Sequence, residues 1–145
     1  MIYLEPITPD NWRPDLRVRD DQRHFVSDCS RILARAYAYR KHGSRAFLIC
    51  WDDLPVGMAM YHDIEEWNAY DFSQLFIDER YQGCGYGLAA SELILQAMRE
   101  DGKYDRVVLC YIEGNTAARQ LYEKLGFSQT GERDGDEIVM ELHLR

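Results

Sequence analysis

Apolar and polar positions recur along this chain with two periods, and the switches between them mark its elements. Residues 2–7, IYLEPI, alternate weakly and predict a first strand. Thr8-Pro9-Asp10 predicts a helix start with Thr8 or Asp10 as cap, and Pro14 keeps that helix short. From Ser27 onward Cys29, Ile32, Leu33, Ala36 and Tyr37 lie at helical spacing, with Ser27 or Asp28 as cap and Gly43 as stop. Arg45 to Trp51 and Val56 to His62 read as a hairpin around Asp52-Asp53-Leu54-Pro55. An acidic and aromatic connection, residues 63–70, leads to a strand from Asp71 to Ile77. A helix follows from about Gly85 to Arg99. Arg106 to Ile112 is continuously apolar, as in a central strand covered on both faces. A helix from Asn115 to Lys124 ends at Gly126, and two closing strands flank the Gly131–Gly135 turn. The predicted order is β-α-α-β-β-β-α-β-α-β-β, without repeats or linkers.

The stretch LFIDERYQGCGYGLAASELIL, Leu75 to Leu95, organises the rest. It reads strand, glycine loop, helix, so free backbone N–H groups and the positive end of a helix dipole converge on one spot suited to a phosphate-like anion. Glycine suits such a loop because a Cβ would restrict the backbone and block close approach. A P-loop would need Lys followed by Ser or Thr, but Leu88 and Ala89 follow Gly87. A dinucleotide fingerprint would need a third glycine where Leu88 stands. The pattern Q/R-x-x-G-x-G/A is met by Gln82, Gly85 and Gly87. On the glycines alone, a plain tight turn before a helix remains an alternative.

Composition narrows the classes. A length of 145 residues suits one domain with a real core. No apolar run reaches the roughly 20 residues of a membrane span, and MIYLEPITPDNW lacks the basic-then-apolar pattern of a signal peptide. The net charge of −8 argues against nucleic acid and suits a cationic substrate, or simply solubility. Cys29, Cys50, Cys84 and Cys110 show no close pairing, which predicts reduced thiols in a cytoplasmic protein and no structural metal site.

Downstream, NTAARQLYEKLGF places Asn115, Ala118, Leu121-Tyr122 and Leu125-Gly126-Phe127 in the pattern N-x-x-A-x-x-L-Y-x-x-x-G-F. With the glycine loop and the strand order, this resembles the GNAT family of N-acetyltransferases from Val56 onward. The segments QRHFVSD, the alanine-rich helix ending in AYAY, and DDLPVGMAMY are similar to bacterial spermine/spermidine acetyltransferases of that family. The resemblance implies one α/β (α+β) N-acetyltransferase domain over residues 1–145. Its mixed sheet would have six to seven strands with splayed middle strands, flanked by about four helices. It implies acetyl-coenzyme A as cosubstrate and a small, cationic amine as acceptor, with family habit implying a homodimer.

Residue by residue, the resemblance implies that the pantetheine arm pairs with backbone groups of Leu75, Phe76 and Ile77. The pyrophosphate would sit on the N–H groups of Gln82, Gly83, Cys84, Gly85, Tyr86 and Gly87. Arg80 would screen phosphate charge, or be a plain solvated arginine. Asn115 would reach the pantetheine arm or act only as a helix cap, and Ala118 would line the same side. Tyr122 would hydrogen-bond the departing thiolate and donate a proton; by periodicity alone it belongs to the stripe of Ala118, Leu121 and Leu125. Some relatives carry a carboxylate where this chain has Ser73, so the general base is open. Asp71 and Glu65 are the candidates carried forward, with Glu66, Asp63 and Glu113 behind them. Acetylation of a protein N-terminus, or a non-catalytic acyl-coenzyme A sensor, are the competing readings.

Overall fold

Seven strands lie side by side in the order β1-β2-β3-β4-β5-β7-β6 in the computed structural model, which describes residues Met1–Arg145. In chain order the elements are β1 (Ile2–Pro6), α1 (Cys29–Ala38), β2 (Arg45–Trp51), β3 (Leu54–Ile64), β4 (Ala69–Ile77) and α2 (Tyr86–Asp101). Then come β5 (Arg106–Ile112), α3 (Thr116–Lys124), β6 (Ser128–Asp134) and β7 (Glu137–His143). All neighbours pair antiparallel except β4 and β5, which run parallel because α2 carries the chain across between them.

Two apolar layers cover the sheet. On one face Tyr70, Phe72, Val107, Leu109 and Met140 pack with Ala90, Ile94 and Met98 of α2 and Tyr122 of α3. On the other, Leu48, Met58, Met60 and Phe76 pack with Ile32 of α1 and Val18. β5 is buried on the faces of Val107, Val108 and Leu109, as its unbroken apolar run predicts. No helix is long and apolar enough to cross a membrane, and all four cysteines are free.

The expected helix after Thr8 is replaced by a turn. Asn11 closes it, its side chain accepting from the Thr8 N–H at 2.7 Å and donating to Glu5 and to the Pro6 carbonyl. Beyond it Leu16 and Val18 reach the α1-side core two residues apart, a strand-like period that a helix could not satisfy. The fold therefore has three α-helices rather than four. Helix α1 begins as expected, with the Asp28 carboxylate accepting from the Arg31 N–H at 3.0 Å. Its regular part stops at Ala38, and a 3-10 turn, Arg40–His42, leads to Gly43. The closing hairpin is longer than its sequence suggests. β6 runs through Gly131 by means of an irregularity between Gln129 and Arg133, and the reversal falls at Gly135-Asp136.

Two features place the site. First, β4 has a bulge: Met60 stands opposite Gln74 and His62 opposite Asp71, so β4 spends one more residue than β3 around Phe72-Ser73. Side chains before and after it therefore exchange faces. Phe72 joins the α2-side core and Phe76 the α1-side core, although residues four apart on a regular strand share a face. Second, β4 and β5 pair only over Ala69–Asp71 and Arg106–Val108, then separate. Past that point β4 pairs only with β3 and β5 only with β7, so two strand edges face one another across a gap.

The far end of β4 is held by Asp78, which is fully buried. Its carboxylate accepts from the backbone N–H groups of Arg17 (2.7 Å) and Arg80 (2.8 Å) and from Arg80 Nε (2.9 Å). Burial pushes this carboxyl up, but the hydrogen bonds from Arg80 and Arg17 outweigh it, and the group sits below the ordinary value.

Two outcomes follow from these contacts. Gly57 pairs with Ile77, and a Cβ there would collide with the Phe76 carbonyl oxygen. Gly57→Ala is expected to lower stability by roughly 1–3 kcal/mol, read as a lower thermal midpoint by calorimetry. For Asp78, a folded value below the unfolded one (about 3.9) gives stability that is complete above about pH 4 and lost as pH falls through the folded value. Asp78→Asn should cost roughly 1–3 kcal/mol at neutral pH, and urea midpoints of variant and wild type should converge as pH falls through the folded value.

Candidate active site

The glycine loop folds as a platform for the start of α2. Gly83 and Gly85 have φ of 78° and 81°, a left-handed conformation that side chains other than glycine adopt with strain. No atom lies within 4 Å of a Cβ placed on either, so the loop is bare on that side. Gly85 serves as N-cap without any side-chain cap, and the first intrahelical bond runs from Ala89 N to Gly85 O at 3.1 Å. The N–H groups of Tyr86, Gly87 and Leu88 are thus free of helix partners and point out of the helix start. Ile77 and Leu121 lie 3.7 and 3.8 Å from a Cβ placed at Gly87, an ordinary contact, so the packing of α2 on β4 and α3 leaves room for a side-chain methyl there.

Side chains around the loop have structural duties. Gln82 Nε2 donates to the Ile77 carbonyl (3.0 Å) and to Gln22 Oε1 (2.8 Å), closing the end of β4. Arg80 is half-exposed, and its guanidinium is paired with the Asp78 carboxylate and the Asp15 carbonyl. Cys84 is exposed and contacts only the Gln82 carbonyl, at 3.8 Å. Tyr86 stacks on Trp51 with ring centres 5.6 Å apart.

Leu75, Phe76 and Ile77 form the β4 edge of the gap, pairing through Ala59, Met58 and Gly57 on the β3 side only. Across the gap, Asn115 caps α3: its Oδ1 accepts from the Ala118 N–H at 3.2 Å, which leaves the side-chain amide N–H groups for a ligand. Tyr122 lies on the α2 face, edge-on to Phe72 (6.0 Å) and Phe127 (5.8 Å). Phe72 is the first β4 residue past the last pair with β5, so Tyr122 stands beside the vertex of the gap. Burial alone raises its hydroxyl well above the usual phenol value.

Asp71 is that last pair, opposite Val108, and its side chain lies on the other face. There a cleft of about 300 Å³ opens between the end of α1, the end of β3 and the turn Glu65–Trp67. Its walls carry the rings of Tyr39 and Trp67 and the carboxylates of Glu65, Glu66 and Asp71. Burial pushes the Asp71 carboxyl up, while His62 and Arg35 pull it back. Glu65 shares this cleft but sits at its exposed rim, 3.2 Å from His42 Nδ1. Its own backbone N–H, and then His42, hold its carboxyl below the usual value. So the structure brings Asp71 and Tyr122 to opposite sides of one vertex and leaves Glu65 at the entrance. Asp63 is buried and paired with Lys103 (2.5 Å), and Glu113 pairs with Arg133 on the surface. Ser73, where a carboxylate was in question, accepts from Arg35 Nε at 2.6 Å.

His62, Tyr39 and Arg35 belong to this site and were not singled out from the sequence. His62 is 2% exposed, stacks on Tyr39 (centres 4.2 Å apart) and places Nε2 3.4 Å from Asp71 Oδ2. The one signal was period-two spacing, which puts Met58, Met60 and His62 on a single face. Chemically, the arrangement offers an anion-binding helix start, two strand edges for an extended ligand, a protonated phenol, and an acidic cleft reaching the same vertex.

Comparison with known proteins gives the family and the fold. The sequence profile of the acetyltransferase (GNAT) family matches residues 7–127. A spermine/spermidine N(1)-acetyltransferase of Bacillus subtilis (strain 168) is 30% identical over 97% of this chain and 97% of its own. Spermidine N-acetyltransferase from Vibrio cholerae, crystallised with CoA and spermine, superposes with a TM-score of 0.76 at 15% identity, covering 99% of this chain and 95% of that one. The ribosomal-protein-S18-alanine N-acetyltransferase from Escherichia coli superposes with a TM-score of 0.75 at 19% identity, covering 99% and 94%. The chain belongs to the acetyltransferase (GNAT) family, and it is an acyltransferase.

Proposed function

We propose that this protein transfers an acetyl group from acetyl-coenzyme A to a primary amine of a polyamine, by direct attack of the amine in the gap between β4 and β5. The observation that carries the reading is the meeting of the acidic, ring-lined cleft with the strand gap at Asp71. The similarity to a spermine/spermidine acetyltransferase supports the same acceptor class.

The chain's own groups suit acetyl-coenzyme A. Backbone groups of Leu75, Phe76 and Ile77 would pair with the amides of the pantetheine arm, replacing the strand partner that β4 loses past Asp71. The N–H groups from Gln82 to Gly87, with the α2 dipole, would hold the pyrophosphate. Asn115 and Ala118 would flank the arm from the α3 side. The cosubstrate supplies the activated acyl group.

Asp71 would take a proton from the bound ammonium, directly or through water. The freed nitrogen forms a bond to the thioester carbonyl carbon, the C–S bond breaks, and sulfur leaves with the electron pair. The nitrogen's second proton is then lost and one proton ends on sulfur, so one is released to solvent. Tyr122 would hydrogen-bond the sulfur as charge develops. Full proton donation by Tyr122 is disfavoured: an ordinary phenol (about 10) already lies roughly 1.5 units above a thiol (about 8.5), some 2 kcal/mol uphill, and burial widens the difference. A covalent route through Cys110, a thiol on which the Asp71 charge acts, is disfavoured too. Burial and then the Asp71 charge push that thiol up to about 11, so almost none of it is thiolate at neutral pH.

The test is thiol release from acetyl-coenzyme A with spermidine, spermine, an amino-terminal peptide and an aminoglycoside in parallel. Release with the polyamines is expected. Release with the peptide alone would transfer the protein to amino-terminal acetylation, and binding of the cosubstrate with no release would make it an acyl-coenzyme A sensor. Tyr122→Phe keeps the ring packing on Phe72 and Phe127. It should lower kcat by roughly 10²–10³-fold while leaving the thermal midpoint and the Kd for coenzyme A nearly unchanged.

A further inference from the structure

Resting on the acetyl-transfer reading, we propose that His62 and Asp71 act as one proton acceptor, with His62 as the positioning residue that stores the proton Asp71 takes from the amine. The geometry fixes the roles of the two ring nitrogens. His62 Nδ1 lies 3.0 Å from the Asp63 carbonyl oxygen, which can only accept, so Nδ1 carries a hydrogen. In the neutral ring Nε2 then holds a lone pair. That atom is buried, has no hydrogen-bond partner, and lies 3.4 Å from Asp71 Oδ2. A lone pair facing a carboxylate in a buried position is unfavourable, and a proton between them removes the conflict.

The surrounding groups hold this pair in place. β3 and β4 set His62 directly opposite Asp71, one step before the bulge. Tyr39 stacks on the imidazole, and Arg35 lies over the other side of the cluster, 4.8 Å from the Tyr39 ring centre, with its Nε on Ser73. The charges that face the pair are Arg35 from α1 and Glu137 from β7, with the neutral thiol of Cys110 on β5 near Asp71 and His42, Asp63, Glu65 and Glu66 lining the same cleft. Burial raises the Asp71 carboxyl and so makes it the stronger base, while His62 and Arg35 pull it back toward the ionised form from which it can accept a proton during turnover. The balance is simple. The ammonium nitrogen loses H⁺ to Asp71 Oδ2, the proton moves to His62 Nε2, and an imidazolium–carboxylate pair remains until water in the cleft removes the proton. Asp71, with one-fifth of its side chain exposed, is the member that meets the substrate.

Two measurements decide the matter. The first is the pH dependence of kcat/KM with spermidine for wild type and His62→Gln. The variant is expected to lose at least about tenfold at neutral pH. Its acidic limb should move to lower pH, because the protonated pair is no longer stabilised, while the KM for acetyl-coenzyme A stays unchanged. The second is the titration of the His62 ring resonances by NMR in wild type and Asp71→Asn, without substrate. The midpoint should move to lower pH when the carboxylate charge is removed. An unchanged profile in His62→Gln, or a His62 titration indifferent to Asp71→Asn, overturns the proposal. If His62→Gln fails to fold, the NMR comparison decides alone. A wild type that shows the NMR coupling but releases no thiol with any amine overturns the acetyl-transfer reading itself, and the catalytic use of the pair with it. That outcome differs from a loss confined to the variant.

Discussion

The whole site depends on how short the parallel pairing of β4 and β5 is. Three residue pairs hold the strands together, and from Phe72 and Leu109 onward they part. A sheet that opens in its middle leaves backbone donors and acceptors unsatisfied on two facing edges, which is costly unless water or a ligand pairs with them. The remaining contacts keep that opening from closing or spreading. β3 fastens the outer side of β4, with Gly57 letting the strands come close, and β7 fastens β5 along its length. Asp78 anchors the far end of β4 through Arg17 and Arg80.

The bulge at Phe72-Ser73 then decides what each face of the opening carries. By shifting the alternation it sends Phe72 toward Tyr122 and leaves Asp71 facing the cleft with His62. On the proposed reading, the hydrogen-bond donor to sulfur and the proton acceptor are thereby separated by the thickness of one strand. The two groups also differ in environment. Tyr122 is raised by burial with no charge beside it, whereas Asp71 feels burial and three ionisable neighbours, His62, Arg35 and Glu137. A donor that stays protonated and an acceptor that can stay ionised are what acyl transfer to an amine requires of the two sides.

Local motifs were legible in the sequence, and features set by register were not. The glycine loop and the N-x-x-A-x-x-L-Y segment lie within single strand–loop–helix units, so the resemblance can pick out Gly85, Asn115 and Tyr122 from local pattern without any knowledge of strand register. The strand limits of β2 and β5 match the expectation because both are apolar runs bounded by polar residues. The helix expected after Thr8 failed because cap and proline signals were read without an apolar stripe to support them; Leu16 and Val18 carry the opposite period. Neither sequence reading of Arg80, a screen for phosphate charge or a plain solvated arginine, includes its pairing with Asp78 two residues away, because nothing in the sequence announces that Asp78 is buried. His62 was missed for a deeper reason. Its role depends on facing Asp71, which follows from pairing two strands across a bulge, and one residue of slip would put it elsewhere.

On the proposed reading, the acidic cleft sets two demands against each other. An alkylammonium has a pKa of roughly 10 and an ordinary carboxylate about 4, so direct proton transfer is some 8 kcal/mol uphill. Carboxylates close to the reacting nitrogen would bind it more tightly and raise its pKa further, deepening the deficit. Burial of Asp71 works the other way, since it makes the acceptor more basic. The layout resolves the conflict by distance. Glu65 and Glu66 stand at the exposed rim, where they can hold a cation without touching the reaction. The partly buried Asp71, beside His62, stands at the vertex. A substrate with a single ammonium could use one of these places but not both. A chain of amines can leave one ammonium charged at the rim while another gives up its proton at the vertex. This division of labour, more than the net charge of the protein, is the physical reason to favour a polyamine over a monoamine.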